Sequence, residues 1–334
     1  MNPALTRPTR LARLSAAIVR GRRLPFSVTF ILTDRCNFRC DYCNIPTDPA
    51  EEMTRPEFER AIDELADAGM ARASFSGGEA LLRPDAIDII AHAHRRQLYT
   101  SLNTNGWLAV EQFDRLAGVL DMMVVSLDGD AAVHDRIARR KGSHERVVQV
   151  LSKARTAGLT TATITVLGPW NLHLVPQVLD TARQLGAWAY FQPAQDDCYD
   201  ADAGLSHGLG SVELNRIADD LAAGMRAGLP VAASPGYLTR LRRGPKFTDC
   251  GTCAAGRYFA TVLPDGRMVP CHLTSEQREW PSGRTTGFAK AFAAMGDHKS
   301  GNGCAISPYQ ESDLIFSRDP RAVVAAFKRM RRPA

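Results

Sequence analysis

Residues 33–43 read Thr33, Asp34, Arg35, Cys36, Asn37, Phe38, Arg39, Cys40, Asp41, Tyr42, Cys43 and follow directly on an apolar run over 26–32 that reads as a β-strand. The cysteines have the spacing Cys-x-x-x-Cys-x-x-Cys on one short loop. Iron–sulfur clusters are normally held by four thiolates, so a compact set of three leaves one iron of a four-iron cluster open to a ligand that is not protein. An open iron is where chemistry can occur. Zinc is the competing reading, because closely spaced cysteines also ligate zinc. Zinc motifs usually pair as Cys-x-x-Cys with a second pair close behind, and here no fourth Cys or His follows nearby.

Outward from this loop, strand-like and helix-like segments alternate, the pattern of a parallel sheet covered by helices. The strands are expected at 26–32, 72–76, 98–103, 122–127, 160–167 and 188–192. Helices are expected at 55–68, 85–96, 111–117, 144–157 and 174–185, with Gly69, Gly158 and Gly186 where helix C-caps fall. Functional residues of such barrels gather at the C-terminal ends of the strands. The second strand runs into Ser76, Gly77, Gly78, Glu79, the third into Asn103, Thr104, Asn105, Gly106, and the fourth into Ser126, Leu127, Asp128, Gly129. Paired glycines let a backbone approach closely, and a carboxylate accepts from an ammonium. Each run taken alone would be an ordinary turn.

With these runs in these places, the chain closely resembles the radical S-adenosylmethionine (radical SAM) enzymes. In that family the amino and carboxylate groups of S-adenosylmethionine chelate the open iron, and reductive cleavage gives methionine and a 5'-deoxyadenosyl radical. The resemblance implies an α/β fold, a partial (βα)6 TIM-like barrel, with Cys36, Cys40 and Cys43 on the first 4Fe-4S cluster. It places Gly77, Gly78 and Glu79 at the methionyl amino group, Ser126 and Asp128 at the ribose or carboxylate, and Tyr42 and Asn103 among the cofactor-binding residues. One departure stands out. Relatives commonly carry His-Asp, two residues, then Arg-Gly, whereas His134, Asp135, Arg136, Ile137 are followed here by Ala138 and Arg139, with His144 at a frequently aromatic position. Arg139 or Arg136 is the candidate replacement for the missing arginine.

A second set, Cys250, Cys253, Cys271 and Cys304, has enough thiolates for a complete cluster. Between Cys253 and Cys271 the run from Pro264 to Pro270 reads as a hairpin turn that brings the chain back toward the cysteine pair. Gly266 stands five positions before Cys271, as in the auxiliary-cluster modules called SPASM and twitch. Too few cysteines follow for the two clusters of a full SPASM domain, so the resemblance implies one auxiliary 4Fe-4S cluster; structural zinc is the alternative. Cys198 is either a buried thiol, a fourth auxiliary ligand in place of Cys304, or a hydrogen-atom donor. The expected organisation is a basic helical extension over 1–25, the barrel over 26–205, a helical linker with a Gly- and Pro-containing connection over 206–245, a SPASM/twitch-like domain over 246–310 and a basic C-terminal helix over 311–334. The auxiliary cluster would accept the electron left by hydrogen abstraction or relay electrons, and Asp196, Asp197 or His207 would take the accompanying proton.

Composition sets the outer bounds. A chain of 334 residues with 45% hydrophobic content buries a substantial core. It holds no run of eighteen apolar residues, and six arginines punctuate residues 1–23 without a signal-peptide apolar region, so no transmembrane segment and a cytoplasmic location are expected. Eight cysteines in a reduced compartment point to metal ligation rather than disulfides. The net charge of +5 is concentrated at the two ends and implies no nucleic-acid partner. Leu11, Leu14 and Ile18 recur at helical spacing among arginines, which fits either a membrane-touching helix or, more simply, a terminal helix packed on its own domain. About twenty-five residues before the first strand are too few for a fused recognition domain of the usual ~50 residues. A separately supplied peptide, a small metabolite and a lipid remain as substrates, with a flavodoxin or ferredoxin-type protein as reductant. An electron carrier or zinc-stabilised scaffold would explain the cysteines but not Gly77, Gly78 and Glu79.

Overall fold

The computed structural model of the chain describes residues 8–45, 51–194, 208–243, 253–274, 279–296, 304, 306–329 and 333. Six strands, β1 (Ser27–Ile31), β2 (Arg72–Ser76), β3 (Tyr99–Thr104), β4 (Met122–Ser126), β5 (Thr160–Leu167) and β6 (Trp188–Pro193), lie side by side in chain order, all parallel. On the other edge of β1, β7 (Phe259–Val262) adds in parallel and β8 (Met268–Val269) returns antiparallel to it. The hairpin that carries the second cysteine set therefore continues the barrel sheet across its β1 edge. The result is an open, partial barrel.

Helices α2 (Arg55–Ala68), α3 (Ala86–Arg95), α4 (Phe113–Ala117), α5 (Ala131–Ile137), α6 (Ser143–Ala157) and α7 (Val175–Leu185) fill the crossovers. Helix α2 shows why such a sequence folds this way. Thr54 and Glu57 form a capping box at its start, and Phe58, Ala61, Ile62 and Leu65 recur on one buried face. Gly69 then ends it at φ 117°, a left-handed conformation that favours glycine. Gly158 and Gly186 end α6 and α7 in the same way.

Strand alternation separates two faces. Val28, Phe30, Ala73 and Phe75 are fully buried under the helices, with Phe30 and Phe75 stacked at 5.6 Å. Their neighbours face the concave side, where Ser27, Thr29 and Ile31 of β1 and Trp188, Tyr190 and Gln192 of β6 stay partly exposed. By the strand register this inner face carries Arg72, Ser74 and Ser76 on β2, Tyr99, Ser101 and Asn103 on β3, Met122, Val124 and Ser126 on β4, and Thr160, Ala162, Ile164 and Val166 on β5. Tyr99, Met122, Val124 and Ala162 form an apolar cluster of their own there, with Tyr190 packed against it.

Past the barrel come α8 (Ser211–Arg226), α9 (Pro235–Leu241), α10 (Gly283–Thr286), α11 (Phe288–Ala294), α12 (Ser307–Phe316) and α13 (Pro320–Arg329). The Gly- and Pro-containing connection expected after 228 contains α9, because Ser234 caps it by accepting from Tyr237 N–H at 3.2 Å and Pro235 suits a first helical turn. The domain boundary expected at 310/311 falls inside α12. The amino-terminal helix α1 (Pro8–Val19) takes the simpler of its two expected readings, since Leu14, Ala17 and Ile18 pack with Leu24, Tyr258, Phe259 and Phe316. Among the described residues no helix is long and apolar enough to cross a membrane.

Candidate active site

The loop bearing Cys36, Cys40 and Cys43 leaves the C-terminal end of β1 and is clamped by four elements. From β2, Gly78 N–H donates to Thr33 O at 2.8 Å and Glu79 N–H to Arg35 O at 2.9 Å. A Cβ on Gly77 would lie 2.4 Å from Thr33 O, and one on Gly78 would lie 2.4 Å from Arg35 O. The paired glycines thus let this turn lie directly on the cysteine loop, a closeness the sequence reading assigned to the ligand alone. Glu79 is fully buried, and its carboxylate accepts from Leu81 N–H at 3.1 Å, Asn105 N–H at 2.8 Å and Thr104 Oγ1 at 3.0 Å. Burial pushes its carboxyl up, and these donors oppose the shift. It joins the ends of β2 and β3.

From β3, Asn105 Nδ2 donates to Asn37 Oδ1 at 2.7 Å and stands 4.0 Å from Cys36 Sγ. From β4, Asp128 accepts from Tyr42 OH at 2.9 Å on one oxygen and from Val166 N–H at 2.9 Å on the other. Asp128 is buried, which raises its carboxyl to about 6, and burial likewise pushes the Tyr42 hydroxyl up. These contacts give Tyr42 and Asp128 a direct role in fixing the loop. Asn103 and Ser126 sit partly exposed near their strand ends on the concave face.

The fourth clamp comes from the end of α5. Ile137 O accepts from Asp41 N–H at 3.0 Å, and Arg139, at φ 48°, donates through Nε to Asp41 Oδ1 at 2.7 Å. Arg140 Nη1 donates to Asn37 O at 3.0 Å while its guanidinium lies 3.9 Å from the Trp107 ring centroid and 5.4 Å from that of Phe38. Arg136 is exposed. The sequence reading considered Arg136 and Arg139 and missed Arg140, Asn105 and Trp107. Arg140 stands one residue beyond Arg139, and Asn105 was quoted within its turn without a role.

The described cysteines of the second set, Cys253, Cys271 and Cys304, lie toward the opposite end of β1. Cys271 follows β8 and returns to the level of Phe259, which pairs with Ser27 at the start of β1. Cys253 packs into the same cluster as Phe259 and Tyr309. Tyr309 stacks on Phe259 at 5.8 Å and meets His272 Nδ1 at 2.9 Å, and burial followed by the charge of Cys271 raises its hydroxyl. Cys304 also acts on Tyr309, and its carbonyl accepts from Gln310 Nε2 at 2.7 Å. Asp313, 3% exposed, joins Arg240 at 2.8 Å and accepts from Ala254 N–H at 2.7 Å, next to Cys253. Cys250, Cys198, Asp196, Asp197 and His207 lie outside the described residues.

The donor sets suit clusters. Burial is the largest influence on Cys36, Cys40 and Cys43 and raises all three thiols, so an iron's positive charge is needed to hold them as thiolates. Among the described residues no three His, Cys, Asp or Glu side chains converge on the point a single ion would occupy. Cluster thiolates each take a different iron, which fits cysteines spread along one loop.

Residues 30–182 match the model of the Radical SAM superfamily. The PqqA peptide cyclase of Granulibacter bethesdensis is 30% identical over 285 residues, covering 80% of this chain and 74% of that protein. The PqqA peptide cyclase of Gluconobacter oxydans is 30% identical over 260 residues, covering 74% and 70%. The crystal structure of Streptococcus suis SuiB bound to S-adenosylmethionine superimposes with a TM-score of 0.69 over 83% of this chain and 68% of SuiB, at 13% identity, a likeness of fold.

Proposed function

The chain belongs to the radical SAM superfamily and is an enzyme that uses a 4Fe-4S cluster and S-adenosylmethionine, and we propose that it modifies a peptide held on the concave face of the sheet. The concave face is the observation that carries this reading. It is partly exposed on β1 and β6 and at the strand ends, mixes polar, aromatic and apolar side chains, and runs from the first cysteine set at one end of β1 to the described cysteines of the second at the other. Five residues of strand put those ends on the order of 15 Å apart. The 30% identity to a PqqA peptide cyclase spans 80% of the chain, more than the superfamily domain alone accounts for.

Cys36, Cys40 and Cys43 would hold the first cluster and Cys250, Cys253, Cys271 and Cys304 the auxiliary one. With S-adenosylmethionine bound, the first would supply radical chemistry for taking a hydrogen atom, and the second would accept the remaining electron or relay electrons. The residues of the chain do the positioning. Gly77 and Gly78 seat the cysteine loop against β2, and Glu79 fixes the edge at which an ammonium would be bound. Tyr42, Asp128 and Arg140 keep the loop from swinging out of register, while Asn103 and Ser126 offer hydrogen bonds on the substrate side. Asp196, Asp197 and His207 stay as candidate proton acceptors. A flavodoxin or ferredoxin-type reductant and a cytoplasmic setting, where thiols stay reduced, complete the reading. The lipid alternative is less favoured, because Leu14, Ala17 and Ile18 of α1 pack inside and Arg329 of the basic end is 8% exposed, although Val19 at the end of α1 faces outward.

Anaerobic reconstitution followed by reductant is the test. It should give about eight irons per chain and release 5'-deoxyadenosine, and mass spectrometry of the native host against a deletion strain should show a peptide whose mass change depends on the gene. A changed small metabolite with no changed peptide would overturn the substrate class.

A further inference from the structure

The inner face of β1 to β6 carries no Asp or Glu and a single cation, Arg72. Arg72 stands at the start of β2, at the end of the lumen away from the first cysteine set. Its Nη2 donates to Ser101 Oγ at 3.3 Å, and among the described residues no carboxylate lies within ion-pair distance and its buried Nε has no hydrogen-bond partner. On the β6 side of the lumen, α13 brings a second guanidinium against Tyr190. Arg329 pairs with Glu311 at 3.0 Å and lies 5.9 Å from the Tyr190 ring centroid, and its Nη1 is buried without a partner. Glu311 is already used, accepting from Ser234 N–H at 2.6 Å as well as from Arg329. Two residues up β6, Gln192 Oε1 is a buried acceptor with no donor.

A buried cation without a counter-charge is costly, and unpaired buried donors add to the cost. On the concave face the unpaired Nε of Arg72 and Oε1 of Gln192 call for a ligand that satisfies them together. We propose that Arg72 binds a carboxylate of the peptide substrate at the inner end of the barrel, and that Gln192 accepts an amide N–H of the same molecule nearer the radical site. The planar guanidinium of Arg72 matches a carboxylate bidentately, which a lysine would not reproduce. The anchor would be an acidic side chain or the peptide's terminal carboxylate, reaching past the reacting carbon. This inference rests on reading the lumen as the peptide site.

Three capped tripeptides test it on the reconstituted protein by calorimetric titration. N-acetyl-Ala-Glu-Ala-amide carries only a side-chain carboxylate, N-acetyl-Ala-Ala-Ala acid only a terminal one, and N-acetyl-Ala-Gln-Ala-amide neither. One of the first two should bind about tenfold or more tighter than the third, from a charge-assisted bidentate pair, and which one identifies the source. Arg72→Gln should bring the ratio close to one, and Arg72→Lys should restore part of it, with iron content and melting temperature showing that each variant is folded. Equal binding of all three, no measurable binding, or discrimination that survives Arg72→Gln would overturn the proposal. If carboxylate binding holds while no reductant-dependent 5'-deoxyadenosine forms, the site stands and the radical reading fails.

Discussion

The two cysteine sites are held by opposite means. At the C-terminal end of β1 a loop with almost no regular structure is fixed by polar clamps from its neighbours: backbone bonds to Gly78 and Glu79, the Tyr42–Asp128 hydrogen bond, and Arg139 and Arg140. At the other end Cys253, Cys271 and Cys304 lie against an aromatic core of Phe259, Tyr309 and Phe316, secured by the buried Arg240–Asp313 pair. A rim clamp places thiols accurately while leaving one side open for a ligand. An aromatic core excludes solvent and suits a centre that moves electrons without binding a substrate. The difference teaches that loop conformation is the weak point of the first site and burial that of the second.

The largest effect expected is from replacing Cys36, Cys40 and Cys43 together by Ala. Reductive cleavage of S-adenosylmethionine should vanish while iron falls from about eight to about four per chain, the auxiliary cluster surviving. Any 5'-deoxyadenosine from the triple variant would break the assignment. Asp313→Ala tests the second site: it removes the carboxylate partner of Arg240, which keeps only its bond to Gln310, and leaves Ala254 N–H without its acceptor, so chemical unfolding should show a loss of about 3 kcal/mol. Auxiliary iron should go with it, and an unchanged midpoint with full iron would refute the view that this pair secures the site.

Gly78→Ala probes the rim more gently. Its Cβ would meet a backbone carbonyl, which cannot swing away as a side chain does, so a cost of about 1–3 kcal/mol is expected. Loss of cofactor cleavage with the auxiliary cluster's absorption intact would confirm the effect as local. Smallest of all should be Arg139→Ala. That side chain is 46% exposed, so its pair with Asp41 contributes under about 1 kcal/mol to thermal unfolding. Arg140→Ala, which removes a carbonyl contact and the Trp107 packing, should cost more, and the reverse ranking would show that the departure from the family's arginine register had been resolved wrongly.

The barrel was legible because alternation and capping are local. The strand over 72–76 and the helix over 55–68 match the structure end to end, and Gly69, Gly158 and Gly186 cap as their spacing implied. The first cysteine set was legible for a similar reason, its spacing being a property of one loop. What stayed hidden was set by distant packing. Helix α12 buries Ser307, Gln310, Glu311 and Asp313, so it has no apolar stripe to announce it. Arg329 read only as part of a basic C-terminal helix because its partner, Glu311, is a helix away. Arg140 was passed over since nothing in sequence shows that Trp107 lies beneath it.

The parallel pairing of β7 with β1 has a consequence for how the protein is made. The bond from Arg23 Nη1 to Gly256 O spans 233 residues, and the β1–β7 ladder beside it closes a loop of similar length. A ribosome adding roughly 5–20 residues per second needs about 10–50 s between the emergence of β1 and that of its second neighbour. Throughout that interval β1 pairs with β2 on one side and presents an unpaired edge on the other, the arrangement most prone to join another nascent chain. Shortened forms ending after β6 would carry that edge permanently, so they should aggregate even with every residue of the first cysteine loop and its clamps in place.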